Sequence, residues 1–175
     1  MVAVDPLASL APRSVLITLA GRDYVIAARP AIDWLEVLIS SDFNQIVPGW
    51  LDEDSEDTIL DQLMTGDLSP DELKEVILDT ISVAAGRPWW WALRLIRYAS
   101  DDVHHWSRIN GRLILAGVRV KKVSLSAWVD AVYAVHCEGM DEEQYTKLKA
   151  DMDMPPSLEY FDEEAEAQNF LSMMG

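Results

Sequence analysis

The segment from residue 69 to residue 86 carries the clearest folding signal in the chain, because the start, the apolar face and the end of a helix are all marked. It opens Ser69-Pro70-Asp71-Glu72, in which Ser69 can cap the helix, Pro70 suits the first helical position and Glu72 completes a capping box. Gly86 supplies the stop. Between them one stripe recurs at helical spacing: Leu73, Val76, Ile77, Thr80, Ile81 and Ala84. A stripe of this length predicts a helix that packs against other elements.

Similar patterns fill most of the remaining chain. Helical spacing, caps and stops predict further helices over residues 30–40, 55–64, 87–98, 103–115, 124–139 and 141–152. Either Ser124 or Ser126 caps the helix at 124–139. In the second of these, Ile59, Leu60 and Leu63 are expected to point inward. Residues 15–19 and 24–27 are β-branched or aromatic around a glycine-containing turn, which predicts a β-hairpin.

These elements define a mostly α fold. We expect a single helical domain of about six helices with an N-terminal β-hairpin and an acidic C-terminal tail. An N-terminal arm is assigned to residues 1–13, the helical domain to 14–156, and the acidic tail, which follows Pro155-Pro156, to 157–175.

The charge of the chain narrows the classes of function. Its net charge of −16 argues against binding nucleic acid or an anionic membrane, since both need clustered Lys and Arg. Residues 52–79 contain 11 acidic groups and one basic group, whereas residues 87–122 contain eight basic and two acidic groups. These two segments either face each other inside the fold or form solvated faces of separate helices. One cysteine, Cys137, excludes an intrachain disulfide.

Two histidine-containing pairs are the nearest approach to a reactive or metal-binding motif. Neighbours on a helix point about 100° apart, so His104-His105 does not converge on a metal, nor His136-Cys137 on a substrate. Phosphate-binding glycine motifs do not occur in the sequence. We therefore expect no catalytic residues, no metal and no cofactor, and a protein that is not an enzyme.

The run Trp89-Trp90-Trp91 is the most unusual local feature. Three consecutive helical residues cover about 200° of the circumference, so a single core face cannot take all of them. At least one ring is then expected at the surface or in a groove, where large aromatics anchor protein partners. The alternative is a helix packed between neighbours, with all three rings buried. Trp89, Trp90, Trp91, Arg94 and Arg97 form the candidate partner-binding set.

Several strings, in serial order, resemble the tail assembly chaperones of siphophages that infect actinobacteria. The most specific of them is Gly86-Arg87-Pro88-Trp89-Trp90-Trp91-Ala92-Leu93-Arg94-Leu95-Ile96. The others are Gly21-Arg22-Asp23-Tyr24-Val25-Ile26 with Ala31-Ile32-Asp33-Trp34-Leu35, Val47-Pro48-Gly49-Trp50-Leu51-Asp52, Leu125-Ser126-Ala127-Trp128-Val129-Asp130-Ala131-Val132-Tyr133-Ala134, and Met140-Asp141-Glu142-Glu143 leading to Pro155-Pro156. The resemblance covers about residues 14–156.

This resemblance implies a non-enzymatic protein of the infected host cytoplasm. Such chaperones bind the long, helical, aggregation-prone tape measure protein and help tail tube subunits polymerise around it. They are generally absent from the finished virion. In many members of this family a ribosomal frameshift makes an extended form of the protein. The implied partners are therefore the tape measure protein, the major tail tube protein and a longer, frameshifted form of the chain itself.

Two other functions compete with this one. The chain could be a structural virion component, such as a head–tail connector or a tail completion protein, which would remain in the particle. A small enzyme is the third possibility, and the absence of a convergent motif argues against it. Analysis of the protein content of purified virions separates a chaperone from a structural component, because a chaperone should be missing from the particle.

Overall fold

A computed structural model describes residues 10–156 of the chain. The described residues fall into two compact units, divided between Glu138 and Gly139. The N-terminal arm as far as residue 9, and the whole acidic tail expected at 157–175, lie outside the described residues. The boundaries assigned to the arm, the helical domain and the tail therefore stay predictions.

The first unit begins with the predicted hairpin. Strands β1 (Val15–Leu19) and β2 (Arg22–Ile26) pair antiparallel, with Val15 opposite Ile26 and Leu19 opposite Arg22. The turn is only Ala20-Gly21, both with positive φ, so β2 begins two residues earlier than the sequence pattern indicated. Side chains alternate along β1, and the inward ones pack toward α3 (Pro70–Ala85).

Helices make up most of the described residues, which confirms the mostly α fold with an N-terminal hairpin. In the first unit they are α1 (Ala31–Ser40), α2 (Glu53–Thr65), α3 (Pro70–Ala85), α4 (Trp89–Ser100), α5 (Val103–Leu115) and α6 (Leu125–Cys137), with a short 3₁₀ turn at Phe43–Gln45. The second unit contains α7 (Glu142–Asp153). Residues 10–156 thus hold seven α-helices where about six were expected.

Local capping bonds place the helix starts. The Ser69 side chain accepts from the Glu72 backbone N–H, and the Ser124 side chain accepts from that of Ala127. Asp141 and Gln144 form a full capping box at the start of α7. The first N–H groups of α1 are satisfied differently: Ala31 donates to the Val123 carbonyl at 2.8 Å. This bond ties α1 to the loop that precedes α6.

The core of the first unit is built around α4, which packs against α1, α3, α5 and α6. Its inward face supplies Trp91, Ala92, Leu95, Ile96 and Ala99. Trp128 of α6 is 1 % exposed and is among the largest fully buried side chains of the described residues. The most aromatic segment of the sequence, Trp89–Trp91, therefore lies in a helix that has neighbours on several sides.

Helix α2 differs from its prediction. It begins at Glu53, because Asp52 rather than Ser55 accepts the capping bond, from the Ser55 backbone N–H. Ile59 is its one fully buried side chain, and Leu63 is half-buried. Leu60 is exposed, so the expectation that it points inward was wrong. Ile59 and Leu60 are adjacent on the helix and point about 100° apart, and the packing selected Ile59.

Candidate functional site

The turn between α3 and α4 sets the direction of the tryptophan helix. Gly86 ends α3 in the left-handed region at φ 64°, and Pro88 immediately precedes α4. The Trp89 backbone N–H donates to the Ser82 hydroxyl oxygen at 2.9 Å. A side chain of α3 therefore satisfies a free donor of the first turn of α4 and ties the start of that helix to α3.

Trp91 belongs to the core. Its side chain is 7 % exposed, and its ring centroid lies 5.4 Å from that of Tyr133 on α6. The Arg87 guanidinium lies 5.0 Å from the Trp91 ring centroid and 5.4 Å from that of Tyr133. It also donates from Nε and Nη2 to the same Asp130 oxygen, at 2.8 and 2.6 Å. Arg87 thus joins the α3–α4 turn to α6 over the top of two buried or half-buried rings.

Trp89 and Trp90 are both half-buried and meet edge to face, with ring centroids 5.6 Å apart. Arg94 is half-buried and Arg97 is exposed. Trp90, Arg94 and Arg97 fall at i, i+4 and i+7, on the side of α4 opposite its buried stripe. The structure therefore divides the candidate set: Trp91 packs inside, while Trp89, Trp90, Arg94 and Arg97 reach the surface.

A second aromatic group lies where α4, α5 and α6 meet. The Tyr98 ring lies 4.4 Å from His105 and 3.7 Å from His136, measured between centroids. Burial, and then repulsion from His105, lowers the pKa of His136 from its ordinary value of 6.5. Its Nδ1 is buried and has no hydrogen-bond partner within the described chain. In the sequence, His105 and His136 belong to two separate pairs, and no motif or spacing in the sequence indicates that the two histidines lie close together.

Other titratable side chains lie beside His105 and His136. Arg108 lies 3.0 Å from His105 Nε2, and Cys137 is a half-buried free thiol. His104 is exposed, and its backbone N–H caps onto Asp102. Among residues 10–156 no three His, Cys, Asp or Glu side chains are grouped so as to hold a metal ion.

A surface pocket of about 220 Å³ lies near the end of α4. Its lining is Ile39, Ser100, Asp102, Val103 and Trp106. The Asp102 carboxylate already accepts the backbone N–H groups of His104 and His105, and the bond from His105 is the main reason that its pKa is lowered. The one charged group of the pocket is therefore engaged in capping α5, and the rest of the lining is mainly apolar.

Comparisons of the chain with protein-family models, with curated proteins and with solved structures give no match. Across residues 10–156, no helix has the length and apolar character needed to cross a membrane.

Proposed function

We propose that this chain is a phage tail assembly chaperone that binds the tape measure protein and assists tail tube assembly without catalysing a reaction. The observation that carries the proposal is the half-buried, edge-to-face pair Trp89–Trp90 at the start of a central helix, with Trp90 on the outer side of that helix. The serial resemblance over residues 14–156 supports it, and so does the mostly helical fold.

The tryptophan pair suits capture of a helical segment. Half-buried indole rings are already partly ordered, so a partner that covers them gains apolar contact at a small further cost in side-chain entropy. An amphipathic helix is the kind of partner that fits, because it can lay an apolar face along a groove and keep its polar face in water. In the phage family that the sequence resembles, tape measure proteins are long and helical.

The arginines beside the pair have a different role. Arg97 is exposed, and an exposed ion pair contributes about 0–1 kcal/mol. A buried tryptophan anchor contributes about 2 kcal/mol or more. Arg94 and Arg97 are therefore expected to orient an acidic group of the partner, while the rings supply most of the affinity.

The charge of the whole chain agrees with a chaperone role. A net charge of −16 keeps the free protein soluble through self-repulsion while it holds an aggregation-prone partner. Many other acidic binding proteins share this property, so the charge supports the proposal without selecting it.

The test is co-expression of the full chain with the tape measure protein of the same phage. Wild-type chain is expected to keep the tape measure protein in the soluble fraction and to co-purify with it. Trp89→Ala/Trp90→Ala is expected to lose this capture, and Arg94→Ala/Arg97→Ala, the matched pair on the same helix, to keep most of it. Circular dichroism must first show that both variants are folded.

Two results would count against the proposal. If wild-type chain neither solubilises nor co-purifies with the tape measure protein, the function is wrong. If the arginine variant loses capture and the tryptophan variant retains it, the function stands but the binding residues are misassigned.

A further inference from the structure

Helix α2 presents an acidic and apolar face to solvent. Two apolar side chains lie on it, Leu60, 42 % exposed, and Met64, 88 % exposed. Three exposed carboxylates accompany them, and the five residues fall at i, i+4, i+7, i+8 and i+11: Glu53, Asp57, Leu60, Asp61 and Met64. This spacing keeps them within roughly 100° of the helix circumference. We call this surface the α2 acidic face.

The end of α5 presents the opposite combination. Ile114 is 41 % exposed and Leu115 is 89 % exposed, at the last two positions of the helix. Three exposed cations follow in the next turn, Arg119, Lys121 and Lys122. Their side chains make no ion pair within the described chain, whereas Arg112, one turn earlier, is paired with Glu138. We call residues 114–122 the α5 basic end.

The backbone of the α5 basic end is held in place. The Val118 N–H donates to the Leu113 carbonyl at 2.8 Å, and the Lys122 N–H to the Arg119 carbonyl at 2.7 Å. The carbonyl of Val120 accepts from the first turn of α1 at 3.2 Å. The surface is therefore ordered before any partner arrives, which lowers the entropy lost on binding.

We propose that the α2 acidic face of one copy of this chain docks on the α5 basic end of a second copy. Both halves of the contact are on the same chain: exposed carboxylates meet exposed cations, and Leu60 and Met64 meet Ile114 and Leu115. Apolar side chains as exposed as Met64 and Leu115 gain from being covered, and the charges around them select which surface covers them. This inference is independent of the proposed function, because none of its residues belongs to the tryptophan site.

The contact is compatible with two kinds of assembly. Because two different surfaces meet, one contact leaves one free surface of each kind on the docked pair. If these two surfaces also meet, the pair closes as a twofold dimer; if they do not, association is head to tail and continues to larger species as concentration rises. The contact is small and lies partly in solvent, so it is weak and is screened by salt.

The test measures the mass of the full-length chain by sedimentation velocity over a concentration series. At low salt, the weight-average mass of wild type is expected to rise at least ~1.5-fold between about 10 and 500 μM, the range in which a weak contact populates. Half-molar salt is expected to remove most of this rise.

Charge reversal identifies the two surfaces. Asp57→Lys/Asp61→Lys on α2 and Lys121→Glu/Lys122→Glu on the turn are each expected to stay monomeric alone. An equimolar mixture of the two variants is expected to associate again. The unchanged α5 basic end of the first variant can then meet the unchanged α2 acidic face of the second, and their two reversed surfaces are also opposite in charge. Glu75→Lys/Asp79→Lys on α3 is the matched control, since it reverses two exposed carboxylates at the same i, i+4 spacing and should behave as wild type.

Three results overturn the proposal. Wild-type chain that remains monomeric across the series would show that the surfaces do not pair, and an acidic partner protein or a nucleic acid would then be sought for the α5 basic end. Association that survives either reversal would place the contact elsewhere. Failure of the mixture to associate would show that the two surfaces do not meet each other.

Discussion

Replacement of Trp91 by alanine tests whether the three neighbouring tryptophans divide as the structure indicates. Trp91 is 7 % exposed and packs against Tyr133, with Arg87 over its ring. Truncation of a buried tryptophan to alanine costs about 3–5 kcal/mol of unfolding free energy, through lost burial and the cavity that remains. In a chain of this length each kcal/mol lowers the melting temperature by about 2–4 °C, so we expect a drop of about 6–20 °C.

Trp90 is the matched control, since it is the adjacent residue and carries the same side chain. It is more exposed than Trp91, so Trp90→Ala removes less buried ring surface and leaves a smaller cavity, and we expect it to cost less unfolding free energy than Trp91→Ala. Urea unfolding followed by far-ultraviolet circular dichroism measures both variants, because this signal does not depend on the deleted indole. If Trp90→Ala cost as much as Trp91→Ala, the assignment of Trp91 to the core and of Trp90 to the binding surface would be refuted.

Two further predictions concern the contacts around α4 and α6. The pKa of His136 is lowered in the folded chain, so the unfolded chain takes up a proton first as the pH falls below about 6.5, and the free energy of unfolding should fall as the pH falls. His136→Gln should therefore show a smaller loss of urea midpoint between pH 7.5 and 5.5 than wild type. An equal loss in both proteins would contradict the burial of this ring. Arg87→Lys should lower the free energy of unfolding, measured by thermal unfolding, by about 1 kcal/mol more than Asp130→Asn does. Lysine loses both the planar contact with the Trp91 and Tyr133 rings and the two donors to Asp130, whereas Asp130→Asn weakens only a partly exposed ion pair. Equal costs would show that the contact of Arg87 with the two rings contributes nothing to stability.

The sequence predicted best what is decided locally. Ser69 and Asp141 cap the helices that they were expected to cap or to begin, and Ser124, one of two candidates with Ser126, caps α6. These caps are predictable because a capping bond spans only two or three residues. The bounds of α5 agree at both ends with the prediction. The strand pairing also agrees, although the turn is shorter, since Ala20 adopts a positive φ that an alanine rarely takes.

Long-range packing decided what the sequence could not. Three consecutive helical tryptophans must face different ways, but the sequence does not say which ring faces inward; that is decided by packing against other helices, such as the contact of Trp91 with Tyr133 on α6. In the same way, His105 and His136 approach through Tyr98, across three helices and without a motif that links them. Burial of Ile59 instead of Leu60 has the same origin, and the outward apolar face of α2 is its consequence.

A tail assembly chaperone, as proposed for this chain, acts during tail assembly and is then released. Quantitative mass spectrometry of infected cells and of purified particles from the same culture measures whether the chain is released. We expect peptides from the described helices, such as α4 and α6, to be abundant in the lysate during tail assembly and absent from the particles. Recovery of this chain from washed particles, at a fixed ratio to the tail tube protein, would contradict the chaperone function and favour a head–tail connector or a tail completion protein.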